Sequence, residues 1–209
     1  MYDVLLAQFM EGKRKAGEPL NIGALSRELD VSQTPLREAL ARLEHTGLVR
    51  REALKGYRVS PDLGEQEIGK LMDARLLLEP ALAREAGLRT TPEFLAELAE
   101  TVSLLEQAAA EADEDASALQ ASLTSDGDFH RLIARQSGNP FLESAYLSLT
   151  GQMQRFRLFT RRGRAGAGEA AREHRAIHDA LESRDAEKAA ELMAVHIGNA
   201  RGRALLPRA

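Results

Sequence analysis

The chain has 209 residues, 44% of them hydrophobic and 29% charged, which supplies a packed core and argues against disorder. It contains no cysteine, so disulfides, thiolate metal sites and cysteine nucleophiles are excluded, and any metal must be held by His, Asp or Glu. The net charge of −4 speaks against indiscriminate nucleic-acid coating, but residues 1–60 carry ten Lys/Arg against eight Asp/Glu while residues 61–209 carry 18 against 24. That change of sign, at this length, predicts two domains, residues 1–60 and 61–209.

The N-terminal stretch MYDVLLAQFMEGKRK lacks the basic start and small-residue cleavage site of a signal peptide. No apolar run approaches the roughly 18 residues needed to span a bilayer, so a cytoplasmic protein without membrane contact is expected. Next, Leu25, Leu29 and Val31, then Leu36, Leu40 and Leu43, recur as in two short amphipathic helices packed steeply across a tight turn. Ser32 stands at the N-cap position, Pro35 in the first turn, and Arg37 and Arg42 on the polar face of the second helix. Gly47 ends that helix, Leu48 to Arg51 reads as a strand, Lys55-Gly56 as a turn and Tyr57 to Val59 as the returning strand.

This is a helix-turn-helix followed by a wing. Its second helix suits a major groove, with Ser32, Gln33, Thr34 and Arg37 as base or phosphate contacts, and Lys55 and Gly56 at the wing tip touching phosphate or minor groove. Two short helices and a hairpin also occur in proteins that never meet DNA. The string VSQTPLREALARLEHTGLV, however, closely resembles the recognition-helix signature of the GntR superfamily of regulators. The resemblance implies double-stranded operator DNA as partner. Gln33 stands where family members often carry Arg, which puts one guanine contact in doubt.

Turn residues at Ser60-Pro61-Asp62-Leu63-Gly64 mark the domain boundary. Beyond it, 3.6-residue periodicity predicts about six helices near 64–87, 93–112, 116–137, 140–162, 168–183 and 186–204, an all-helical antiparallel bundle. In the first, Arg75 interrupts the stripe Ile68, Leu71, Met72, Leu78 and Leu82; a buried guanidinium needs a counter-ion, either Glu79 or a bound carboxylate. In the third, Leu119, Leu123, Asp126, His130, Ile133 and Ser137 share one face, and an i, i+4 Asp/His pair can chelate one metal. The stripe Phe141, Leu142, Ala145, Leu149, Met153 and Phe156 is expected to be core, and the basic run Arg155, Arg157, Arg161, Arg162 and Arg164 a solvated face.

His174 and His196 lie on the inward stripes of the last two helices, and His178, one turn after His174, is an alternative. Each histidine alone is better explained as a hydrogen-bonded core or surface imidazole than as a metal ligand. Together with Asp126 and His130 they make an oxygen and three-nitrogen set suited to a divalent transition metal such as Zn²⁺, Ni²⁺, Mn²⁺ or Fe²⁺. A site of that kind permits three uses: holding an effector, activating water as a metalloenzyme, or bracing the fold.

The strings DGDFHRLIARQSGNPFL, EHRAIHDAL and the segment around His196 resemble the metal-binding pattern of the FCD effector domain of one GntR branch, in its shorter VanR-like type. That resemblance implies Asp126, His130, His174 and His196 as ligands, with His174 favoured over His178. It also implies a homodimeric repressor controlled by a small carboxylate, with Arg75 gripping that carboxylate.

Overall fold

The computed structural model describes residues 1–10, 12–53, 55–111, 116–159 and 166–205. Its helices are α1 (Tyr2–Met10), α2 (Ile22–Glu28), α3 (Gln33–His45), α4 (Glu65–Gly87), α5 (Pro92–Glu111), α6 (Ala116–Gln136), α7 (Pro140–Phe159), α8 (Ala167–Glu182) and α9 (Ala186–Leu205). Three short strands, β1 (Pro19–Leu20), β2 (Val49–Glu52) and β3 (Gly56–Val59), complete it. Contacts divide the chain into two compact units. One holds Met1–Leu63 and the stretch of α7 from Thr150 on; the other holds Gly64–Leu149 and the helices after α7.

In the first unit, the Asn21 side chain accepts the Ala24 N–H and caps α2. Asp30, with φ of 51°, makes the left-handed turn into α3, a conformation its short polar side chain tolerates. Gly47 closes α3 with φ of 75°, while Leu48 N–H reaches the Leu43 carbonyl and Gly47 N–H that of Glu44, the reciprocal pattern of a Schellman ending. The chain then returns as β2 and β3, antiparallel in the order β1-β3-β2. Strand β2 begins one residue later than its expected start at Leu48, and β1, too short to carry a periodic signal, is an addition to the expected hairpin. Phe9, Leu25, Leu36, Leu40, Leu43 and Leu48 form the core under α3.

The second unit is the expected helical bundle. Glu67 accepts the Gly64 N–H and starts α4, which continues through Pro80. That proline has no N–H to donate to the Leu76 carbonyl, an interruption that surrounding packing must offset. α4 runs along α9, and α5 packs against α6 and α8. Phe94, Leu98, Val102, Phe129, Ile177 and Met193 fill the space between them. At the end of α4, Gly87 lies so close to the first residue of α9 that an added Cβ would stand 2.8 Å from Ala186 Cα.

Two expectations for α7 need correction. Phe141 is 85% exposed, not core, whereas Tyr146, absent from the expected stripe, is buried. The rest of the stripe holds, with Met153 and Phe156 buried and Leu142 packed against the core, and Tyr146, one turn after Leu142, shares that face while Phe141 lies off it. Of the basic run, Arg155 donates to the Pro61 carbonyl, while Arg161, Arg162 and Arg164 lie outside the described residues, as do residues 163–165 of the glycine-rich loop. Among the described residues, no helix is long and apolar enough to cross a membrane.

Candidate metal centre and DNA-reading face

α3 presents Ser32, Gln33, Thr34 and Arg37 as exposed side chains at its N-terminal end. Ser32 is the N-cap residue, yet its side chain makes no capping bond. Arg37 donates to Gln33 Oε1 at 3.3 Å, one turn back along the helix. Arg42 is exposed, as expected for the polar face, and lies over the Tyr2 ring of α1 at 4.6 Å, a cation–π contact. Lys55 and Gly56 are exposed at the hairpin turn, where Gly56 takes φ of 87°. Nearby, Glu52 accepts from both Arg50 and Arg58, so some of the wing's positive charge is internally paired.

Three helices of the second unit assemble the other site. α6 brings Asp126 and His130, α8 brings His174 and α9 brings His196; one donor atom from each lies within 4.8 Å of all the others. His174 Nε2 stands 3.3 Å from His196 Nε2 and 3.5 Å from Asp126 Oδ1. Ligands about 2.0–2.1 Å from one tetrahedral zinc ion are roughly 3.3–3.4 Å apart, so these spacings fit a shared ion. All three histidines are buried, and Phe129 stacks flat on His174 with ring centroids 4.0 Å apart. Ring orientation is thus set by packing before any ligand arrives.

Protonation is arranged to match. His196 Nδ1 lies 2.7 Å from Glu173 Oε2, an oxygen that can only accept, so Nδ1 carries the hydrogen and Nε2 offers its lone pair toward His174 and Asp126. Burial drives the His196 pKa below the ordinary histidine value, against the pull of Glu173, and so favours the neutral imidazole that binds metal. Arg75 Nη2 approaches His130 Nε2 at 3.4 Å; a guanidinium only donates, which leaves that nitrogen as the accepting one.

Arg75 is buried on α4 and donates through Nε and Nη2 to the two oxygens of Glu79, the internal partner that the sequence left open. Glu79 Oε2 also stands 2.7 Å from His130 Nδ1, although the pair is not aligned as a hydrogen bond. Burial pushes the Glu79 carboxyl up, but the Arg75 charge, with the contacts from Arg75 and His130, outweighs it and holds the group well below the usual carboxylate range. The remaining guanidinium nitrogen, Nη1, contacts Met72 Sδ at 3.9 Å, a weak acceptor.

His178, the alternative ligand, points elsewhere: its Nε2 is 3.4 Å from the Leu95 carbonyl and its Nδ1 3.3 Å from Asp179. The residues that sequence reasoning missed are Glu173, Asn199 and Arg203, which converge behind His196. A signal was available, since His196, Asn199 and Arg203 repeat at i, i+3 and i+7 on one face of α9.

Residues 1–59 match the family of bacterial regulatory proteins called gntR, and residues 70–199 match the FCD domain. Among curated proteins, the chain is 28% identical over 196 residues to the HTH-type transcriptional regulator BphR of Paraburkholderia xenovorans, covering 92% of this chain and 79% of that one. It is 28% identical over 200 residues to the HTH-type transcriptional repressor GlaR of Escherichia coli, covering 94% and 90%. Among solved structures, E. coli McbR/YncC superposes with a TM-score of 0.72 at 25% identity, covering 95% and 92%. Regulators of transcription, not enzymes, make up these matches. The exposed helix end of the first unit and the family models over both units agree: the chain belongs to the GntR family of bacterial regulatory proteins, with an FCD domain, and is a DNA-binding transcription regulator.

Proposed function

We propose that the chain is a repressor whose operator affinity is controlled by a small carboxylic acid bound at the Asp126, His130, His174 and His196 centre. The observation that carries this reading is the convergence of four donor atoms from three helices inside a buried, preoriented cluster. In it, residues 1–60 read DNA and residues 61–209 form the effector and dimerisation domain, a six-helix bundle of the VanR-like type. The protein works in the cytoplasm, where operator DNA lies, as a homodimer whose recognition helices enter successive major grooves about one helical turn apart.

Asp126 and the three histidines would hold a divalent ion such as Zn²⁺, Ni²⁺, Mn²⁺ or Fe²⁺, which supplies a Lewis-acid contact for an effector oxygen. Arg75 offers Nη1, which contacts the Met72 sulfur, to the effector carboxylate, while Nε and Nη2 stay with Glu79. Effector binding changes operator affinity only to the extent that it favours one arrangement of the chain over the other. Ser32, Gln33, Thr34 and Arg37, with Lys55 and Gly56 at the wing, make the DNA contacts.

The test is thermal unfolding of zinc-loaded and chelator-treated protein against a panel of mono-, di- and hydroxycarboxylic acids. At 100 times its dissociation constant, a true effector adds about 2.7 kcal/mol of stability, a clear rise in midpoint. Stabilisation by one acid class, in the zinc-loaded form alone, is the expected result. Loss of stability on chelation with no response to any acid would instead assign the metal a structural role.

A further inference from the structure

We infer that Glu173, held by Arg203 and Asn199, is the positioning residue that fixes His196 in its ligand-ready tautomer and orientation; the inference rests on the metal-centre reading above. Glu173 directly precedes His174 on α8, but its side chain turns to α9. Its carboxylate receives four donors: Oε1 takes Asn199 Nδ2 at 2.8 Å and Arg203 Nη1 at 2.9 Å, and Oε2 takes Arg203 Nη2 at 2.9 Å and His196 Nδ1 at 2.7 Å. The carboxylate is therefore locked in place on both oxygens, and its last lone pair is aimed at the imidazole.

A surface salt bridge would need none of this. An imidazole that ligates through Nε2 must keep its hydrogen on Nδ1, and an anionic acceptor at Nδ1 enforces that choice and makes Nε2 a better donor to metal. His196 Nδ1 has an aligned carboxylate, whereas Glu79, equally close to His130 Nδ1, lies off the hydrogen-bond direction. The backbone makes room for the brace as well. Gly166, in the left-handed conformation at the start of α8, sits against the Arg203 side chain, whose Nε would be only 3.0 Å from a Cβ added there and whose Cδ would be closer still. A side chain at position 166 would force the Arg203 side chain to shift.

The test uses the full chain with ¹⁵N-labelled histidine, stripped of metal by a chelator, and reads histidine tautomers from long-range ¹H–¹⁵N correlation spectra. Wild-type His196 is expected as the Nδ1–H tautomer, and Glu173→Gln is expected to lose that preference while the His178 signals stay unchanged. In zinc titrations against a chromophoric chelator, Glu173→Gln should bind roughly 10- to 100-fold more weakly than wild type, and Arg203→Gln should weaken binding in the same direction by a smaller factor. Should Glu173→Gln fail to fold by circular dichroism, Arg203→Gln carries the same comparison. An Nε2–H tautomer of His196 in the wild type overturns the inference, as does wild-type zinc affinity in both variants. A wild type that binds no zinc overturns the metal-centre reading itself, a failure told apart by the tautomer spectra, which need no metal.

Discussion

Glu79 carries two burdens at once, neutralising Arg75 and standing beside His130, and both partners are buried with it. Removing one member of a buried pair strands the other charge, so Glu79→Ala should cost about 3–5 kcal/mol, read as a lower urea midpoint of the metal-free protein. Glu173 leads to a pH prediction. In an unfolded chain its pKa sits near 4.5; in the fold, burial would raise it, but the bonds from His196, Arg203 and Asn199 bring it down to about 2. The unfolded state thus takes up this proton first as pH falls, and the stability present above about 4.5 is lost on the way down to about 2. Glu79, also depressed, acts in the same direction, its loss starting at the same pH and running further down. Denaturation midpoints of chelated protein should therefore fall with acidification, and Glu173→Gln should flatten that dependence.

At the scale of elements, the two glycines within α4 make opposite predictions. Gly87 is pressed against Ala186 of α9, so Gly87→Ala must push α4 and α9 apart and should cost about 1–3 kcal/mol. Gly69 has nothing within 4 Å of an added Cβ, so Gly69→Ala should stabilise by roughly 0.5–1 kcal/mol through lost backbone freedom in the unfolded chain. Paired urea titrations check both. The helices themselves were legible because their breakers are chemical: Thr91-Pro92, Ser137-Gly138-Asn139-Pro140 and Ser183-Arg184-Asp185 interrupt strong periodicity. The exposure of Phe141 was not legible, since Phe141 and Tyr146 both look like core residues in a string and tertiary packing alone buried Tyr146.

For the whole molecule, DNA binding separates the roles of the exposed groups on the first unit. Arg37→Ala should weaken a selected operator more than random DNA, by about 1–3 kcal/mol per recognition helix if it reads a base edge. Lys55→Ala should instead weaken both alike and reduce the slope of log affinity against log salt by about one, as expected for a phosphate contact. Fluorescence anisotropy across a salt series measures both effects.

Periodicity, turn chemistry and residue type are local properties of the chain, so the helix-turn-helix and wing, the helical bundle and the residues able to ligate a metal could be read from the string alone. Which of those residues meet was decided by the tertiary structure. His174 and His178 stand one turn apart on α8, and only the placement of α6 and α9 turns His174 toward Asp126 and leaves His178 at the Leu95 carbonyl. Arg75 announced a buried charge, but choosing Glu79 as its partner required the side-chain geometry of α4 within the bundle. Glu173 lies furthest from what a string can reveal: it reads as a polar residue on α8, and it gains its role only where α9 delivers His196, Asn199 and Arg203 to its two oxygens. Which residue types can ligate is local chemistry; the Glu173–His196 contact joins residues 23 positions apart in sequence, and only folding brings them together.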